Sequence, residues 1–313
     1  MDVFAGHRAL TRPLRAPAIT IGNFDGVHLG HAALIARARA LAAPAGGEVV
    51  VLTFDPHPTE VLAPHLAPTL LTTAERKLEL LAAAGADAVV VEPFTAELAA
   101  LAPDAFVTEV LAGALGARHV VVGGDFTYGK GRGGNIDTLT AAGARLGFTV
   151  AVVAPVAIDG EVASSTRVRG YLRGGDPARA TALLGRAYDV DGVVVRGAGR
   201  GKGLGVATAN LRPDGDLLPA PGIYAVTFER PGVDARRLPA VASLGTNPTF
   251  VDHGTLVLEV HVLDLDADLY DARVRIGFVA RLRDEARFDS VDALLMQIRA
   301  DIAAARSVFA ATR

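Results

Sequence analysis

The sequence predicts an α/β protein of two domains: an N-terminal doubly wound parallel sheet, then a C-terminal antiparallel β-barrel with a terminal helix. Three observations lead there. The chain has 313 residues, more than one core usually organises, and half of them are apolar, enough for two. In the first half, β-branched apolar runs alternate with stretches of helical spacing. After about residue 185 the helical spacing gives way to strands punctuated by glycine and proline.

The first-half strands are predicted at residues 18–21, 49–54, 88–91, 119–122 and 148–156, with helices at about 29–42, 73–84, 104–115 and 138–146. Strands apolar on both faces, each followed by a helix, make a parallel sheet covered on both sides. Ligands of such sheets bind outside the carboxyl ends of the strands. Three turns fall at that edge: Gly22 to His31, Phe54-Asp55-Pro56-His57-Pro58, and Gly123-Gly124-Asp125-Phe126. Two short helices follow, one opened by Ser164-Ser165-Thr166 and one by Asp176-Pro177, where Asp caps and Pro suits the first helical position. Beyond Leu184-Gly185-Arg186, strands at 190–196, 222–228, 238–244, 255–263 and 273–282 read as a compact antiparallel barrel. A last helix at about 290–309, with Leu294, Leu295, Ile298 and Ile302 on its apolar side, should pack on that barrel or on the first domain.

The stretch with most chemistry is Ile19-Thr20-Ile21-Gly22-Asn23-Phe24-Asp25-Gly26-Val27-His28-Leu29-Gly30-His31: a strand, a tight turn and a helix start. Positions three apart share a helix face, so His28 and His31 should point the same way, with Gly30 leaving room for close approach. A helix start already favours anions through its unpaired N–H groups and its dipole. Two imidazoles added there suit a polyphosphate. A zinc site is disfavoured, because the histidines are scattered and cysteine is absent. With ordinary values near 6.5, the imidazoles should assist better when protonated, unless bound phosphates raise their pKa.

Two glycine-rich look-alikes are set aside. Gly124 to Lys130 begins like a P-loop, but Gly131 stands where a magnesium-binding hydroxyl belongs. Gly129, Gly131 and Gly134 have dinucleotide-loop spacing without the strand before or the helix after, and read instead as a mobile loop or a lid.

Net charge of -3 and a pI of ≈ 6.2 exclude long-range attraction to nucleic acid or anionic membrane. With no cysteine there is no disulfide framework or thiol chemistry, which is compatible with a cytoplasmic setting. Residues 1–14 lack the apolar core of a signal peptide. The mean hydropathy of +0.33 reflects alanine content, since the longest uncharged runs are too short to span a bilayer, so a soluble protein is expected.

Taken together, the motifs resemble the bifunctional prokaryotic riboflavin kinase/FMN adenylyltransferases, or FAD synthetases. The first half contributes the stretch Thr20 to His31, Phe54-Asp55-Pro56-His57-Pro58, Gly124-Asp125-Phe126-Thr127-Tyr128-Gly129 with Arg132, and Ser164-Ser165-Thr166-Arg167-Val168-Arg169. The second contributes Gly203-Leu204-Gly205 running into Thr208-Ala209-Asn210, Pro221-Gly222-Ile223-Tyr224, Gly245-Thr246-Asn247-Pro248-Thr249-Phe250, Glu259-Val260-His261 and Asp268-Leu269-Tyr270. The resemblance implies a Rossmann-like nucleotidyltransferase domain over 1–185 and a riboflavin kinase barrel over 186–313. It also implies ATP as co-substrate, Mg2+ as cofactor, and riboflavin, FMN and FAD as the flavins handled by a monomer or weak homo-oligomer.

By the same resemblance, His28 and His31 contact the ATP phosphates at a site that includes Gly22, Asn23, Phe24 and Gly30. Ser164, Ser165 and Arg167 hold the β- and γ-phosphates. Asn23 and Asp125 line the nucleotide and flavin-phosphate site, and Phe54, Phe126 and Tyr128 meet the flavin ring. In the second domain Glu259 is the base for the riboflavin hydroxyl, while Thr208 and Asn210, on a loop after the glycine cradle 197–205, coordinate Mg2+ and phosphate. Four positions depart from the family pattern: Val206 for Phe, Ala207 for Pro, Ala187 for Pro and Asp271 for Gly. Losing the fixed φ of proline at 207 should loosen the segment that presents Thr208. Two other readings remain at this point, a nucleotidyltransferase with a different acceptor and a non-catalytic flavin or nucleotide sensor.

Overall fold

The structure, a computed structural model, describes residues 1–196, 206–215, 217–246, 256–265 and 267–311. The expected glycine cradle at 197–205, the Asn247-Pro248-Thr249-Phe250 motif and Thr255, the expected first residue of a strand, lie outside them. The chain divides into two compact units, Met1–Thr69 with Ala74–Ser164, and Leu70–Thr73 with Ser165–Arg313.

The first unit is built on six parallel strands: β1 (Asp2–Phe4), β2 (Ala18–Ile21), β3 (Val49–Asp55), β4 (Ala88–Pro93), β5 (His119–Gly123) and β6 (Thr149–Val153). Their order across the sheet is β1-β4-β3-β2-β5-β6. Successive side chains point to opposite faces, and both faces are apolar. Ile19, Ile21, Val50, Leu52, Val120 and Val122 pack with Phe106, Val107 and Leu139 on one side. Ala18, Val49, Val51, Val89 and Val121 pack with Ile35 and Ala38 of helix α1 (Leu29–Ala42) and Leu80 and Leu81 of α3 (Ala74–Ala83) on the other. Each fully buried Val, Leu or Ile side chain among these contributes about 1.5–3 kcal/mol. The doubly wound expectation is therefore met, with β1 added at the edge.

Smaller elements complete this unit: α2 (Pro58–Leu62), α4 (Ala96–Ala99), α5 (Pro103–Ala105) and α6 (Ile136–Leu146). The stretch expected as one α-helix near 104–115 instead runs from α5 into a π-helical segment, Phe106–Ala114. Gly113 accommodates the wider turn, since a Cβ there would lie 2.9 Å from the Thr108 carbonyl oxygen. A hairpin, β7 (Ala157–Ile158) and β8 (Glu161–Val162), turns through Asp159 and Gly160, both at positive φ. Asp-Gly is a preferred pair for that two-residue turn.

The second unit opens with α7 (Ser165–Arg173) and α8 (Pro177–Leu184), the latter capped as expected by Asp176 Oδ1, which accepts from the Arg179 amide at 3.1 Å. A closed six-stranded barrel follows: β9 (Tyr188–Val195), β10 (Ala209–Pro213), β11 (Gly222–Arg230), β12 (Asp234–Thr246), β13 (Leu256–Val262) and β14 (Arg273–Arg283). Strand β10 was not anticipated. It places Asn210 on a strand rather than on a loop, and it closes the barrel between β9 and β13. Tyr224, Phe228 and Phe278 fill the interior, with Tyr224 and Phe278 edge to face at 5.3 Å. Helix α9 (Val291–Ala311) packs on β11, β12 and β14, so of the two partners left open for the terminal helix it takes the barrel.

Candidate functional site

Strand β2 has β3 on one side and β5 on the other, so the chain reverses its direction of winding at the β2/β5 boundary. That switch point opens a crevice at the carboxyl ends of these strands. The turn leaving β2 enters it. Phe24 and Val27 adopt positive φ, at 51° and 39°, and Gly26 does so at 77°. Phe24 is fully buried against the α1 side of the sheet. Its ring supports His31 at 4.8 Å, so what it offers a ligand is backbone.

His28 is the N-cap of α1 rather than a residue within it. Its Nδ1 accepts from the amides of Gly30 at 3.1 Å and His31 at 3.4 Å. An accepting Nδ1 carries no proton, so in the neutral ring the proton sits on Nε2. The two imidazoles stack at 3.7 Å with planes 21° apart, which brings together the pair that the spacing predicted. Gly30 makes this stack possible: a Cβ there would come within 3.0 Å of the His28 ring and 3.4 Å of the Ala163 carbonyl oxygen. Ser164 thus follows directly on a residue that passes over the start of α1.

Burial pushes the His31 pKa well below its ordinary 6.5, and the nearby His28 and Lys77 push it further the same way. The expectation of a protonated pair is corrected at this residue, because a charged ring there would be both desolvated and repelled. His31 Nδ1 is buried without a hydrogen-bond partner among the described residues. Lys77, on α3, was not anticipated; burial lowers its pKa while Asp55 and Asp25 raise it. Nothing in the helical spacing of α3 could have revealed it.

The second turn supports the first. The Asn23 carboxamide lies 3.0 Å from His57 Nε2, and Thr53 Oγ1 donates to the Asn23 carbonyl at 3.1 Å. His57 caps α2 through Nδ1, 3.2 Å from the Thr59 amide, and Glu60 completes the capping box. His57 sits in the quoted motif, yet its contact with Asn23 needs the fold to be seen. Phe54 meets Phe94 edge to face at 5.5 Å. Asp125 is exposed after β5, and Phe126 stacks on Tyr128 at 5.7 Å. Tyr128 is mostly buried, its hydroxyl 3.2 Å from Thr138 Oγ1.

The loop read as mobile is tied down. Tyr128 and Gly134 exchange backbone hydrogen bonds at 3.1 and 2.9 Å, and the Lys130 amide donates to the Leu101 carbonyl at 2.8 Å. Arg132 Nε donates to Thr127 Oγ1 at 2.8 Å.

Ser165 and Arg167 stand in the first turn of α7, in the second unit. In the barrel, a cavity of ≈ 330 Å³ is lined by Thr208, Ser243, Glu259 and His261 on the polar side and by apolar groups of β11, β12 and α9, including Ile223, Val241, Leu294 and Ile298. Glu259 on β13 lies directly opposite Asn210 on one neighbouring strand and Ser243 on the other. The lining offers the carboxylates of Glu259, Glu285 and Asp301, the last paired with Arg283, beside the Thr208 and Ser243 hydroxyls and a broad apolar wall. Among the described residues there is no group of three or more His, Cys, Asp or Glu able to hold a metal. Magnesium with few protein ligands, held largely by phosphate and water, nevertheless suits the oxygens of Thr208 and Asn210.

A family model described as FAD synthetase matches residues 11–167, and one described as riboflavin kinase matches residues 184–309. A bifunctional riboflavin kinase/FMN adenylyltransferase of Pseudomonas fluorescens is 39% identical over 310 residues, covering 99% of this chain and 98% of its own length. The protein of the same name from Escherichia coli K12 is 37% identical over 307 residues, covering 98% and 97%. A solved structure from Streptococcus pneumoniae, described as a macrolide-efflux protein, matches with a TM-score of 0.86 and 29% identity, covering 97% of this chain and 98% of that one. Among the described residues no helix is long and apolar enough to cross a membrane.

Proposed function

The chain belongs to the family of bifunctional riboflavin kinase/FMN adenylyltransferases, and from that premise we propose which of its residues perform each reaction. The enzyme phosphorylates riboflavin to FMN with ATP, then transfers an adenylyl group from ATP to FMN, giving FAD and pyrophosphate. With both halves matched, neither the different acceptor nor the non-catalytic sensor is retained. We place the boundary between the catalytic halves after residue 185, where αL Gly185 ends α8 ahead of β9. Cytoplasmic work without a nucleic-acid or membrane partner belongs to the same reading, supported by the net charge of -3 and the absence of cysteine.

In adenylyl transfer, a phosphate oxygen of FMN attacks the α-phosphorus of ATP, and the α–β bridging P–O bond breaks to release pyrophosphate. The nucleophile is already an anion near neutral pH, so positioning and charge neutralisation carry the step. His28 and His31 donate hydrogen bonds to the ATP phosphates. The stacking of the two rings at the start of α1 and the Nε2 proton of His28 support that role. Gly22, Asn23 and Gly30 belong to the turn and helix start that face the triphosphate, with Phe24 bracing His31. Ser164, Ser165 and Arg167 take the β- and γ-phosphates. Asp125 borders the FMN phosphate, and Phe54, Phe126 and Tyr128 meet the flavin ring.

In the kinase step, Glu259 takes the proton of the riboflavin 5′-hydroxyl as that oxygen attacks the γ-phosphorus and ADP leaves. Thr208 and Asn210 would hold Mg2+, whose charge, when bound, offsets that of the transferring phosphoryl group. The apolar wall of the cavity suits the flavin ring. The observation that carries the division of labour is that the stacked imidazoles and the carboxylate lie in different compact units.

The test incubates purified variants with riboflavin and Mg-ATP and separates the flavins by chromatography. His31→Ala should stop at FMN, and Glu259→Gln should make no FMN yet still adenylylate supplied FMN. Loss of both steps in either variant, with the fold intact, would overturn the division.

A further inference from the structure

We infer that His261 is a positioning residue for the kinase step, holding through Ala207 the segment that presents Thr208. The β10–β13 ladder pairs Leu211 with Leu258, Asn210 with Glu259 and Ala209 with Val260, and ends there. One step further would set Thr208 opposite His261, but residues 206–208 have left the ladder. In its place His261 Nδ1 donates to the Ala207 carbonyl oxygen at 2.8 Å. A carbonyl oxygen only accepts, so this bond places a proton on Nδ1 and survives whether the ring is neutral or charged.

Side chains two apart on a strand share a face, and Glu259, His261 and Thr208 all line the cavity. One edge of β13 thereby carries both the base and the clamp. The clamp matters here because Ala207, unlike a proline, leaves φ free. A side-chain hydrogen bond to the carbonyl of the same residue restrains the backbone that proline would have restrained. The inference rests on the reading that Thr208 engages Mg-ATP, and the experiment separates the two.

The full-length chain is assayed for riboflavin kinase with Mg-ATP and riboflavin varied in turn, and for FMN adenylyl transfer as an internal control. His261→Ala and His261→Gln should lower kcat/KM for Mg-ATP about tenfold, the effect of one lost hydrogen bond, with the KM for riboflavin and the adenylyl transfer unchanged. His261→Asn, whose side-chain N–H falls near the position of Nδ1, should recover most of that loss. Three results would overturn the inference: full kinase activity in His261→Gln, no recovery in His261→Asn, or a riboflavin KM that rises together with that for Mg-ATP. Thr208→Ala separates the premise. A fully active Thr208→Ala removes the reading of the site, whereas a crippled one beside a fully active His261→Gln removes the clamp alone.

Discussion

His31, proposed to meet the ATP phosphates, stands in a place where a positive ring is costly. Its partly buried ring sits between Phe24 and His28, and that packing holds its pKa well below the ordinary 6.5. Around and below pH 6.5 the folded chain therefore binds fewer protons at this residue than the unfolded chain does, and stability falls as pH falls. The contribution is fully present above about pH 6.5 and is lost as the pH drops through the lower folded-state value. The stability advantage of the parent chain over His31→Asn should accordingly shrink between pH 7.5 and pH 5, measured by urea unfolding at each pH. A difference that stays constant over that range would show that the ring is not held neutral. The two-histidine spacing revealed that the rings would meet. The neutrality of His31 was not legible, because desolvation depends on what packs over the ring and not on its neighbours in sequence.

At the scale of the element, α9 shows how a helix becomes one wall of a site. Its apolar stripe was readable from Leu294, Ile298 and Ile302, and these residues line the cavity. Its anchor was not. Asp301, only 6% exposed, accepts from Arg283 Nε at 2.9 Å and from its terminal nitrogen at 2.7 Å, and Gln297 Nε2 adds a bond at 2.9 Å. Arg283 also lies over the Phe288 ring at 5.8 Å. Asp301→Ala leaves that guanidinium without its carboxylate and should cost about 2–3 kcal/mol, below the figure for a fully buried pair because Arg283 keeps 23% exposure. Denaturant unfolding of the variant checks the cost, and a raised KM for riboflavin with an unchanged KM for FMN checks the wall. A change under about 1 kcal/mol would mark the pair as a surface contact. Strand β10 went unread for a related reason: Leu211 alone among its five residues turns into the core, too little for a period of two to show.

For the whole molecule, the proposed assignment of His31 and Glu259, which lie in different compact units, to different reactions predicts complementation between chains. Mixed with riboflavin and Mg-ATP, His31→Ala and Glu259→Gln should together make FAD, since the first releases FMN and the second consumes it. A mixture that stops at FMN would mean that FMN does not pass between chains. By itself the sequence determined the fold class, five of the six strands of the first sheet, the turn that carries the paired histidines, and the family, because periodicity, glycine placement and motif order are local properties of the chain. Tertiary structure alone decided that β10 closes the barrel, that Lys77 and His57 join the first site, that His31 is neutral, and that His261 grips Ala207. Each of these depends on distance and burial between residues far apart in the chain, which no local pattern encodes.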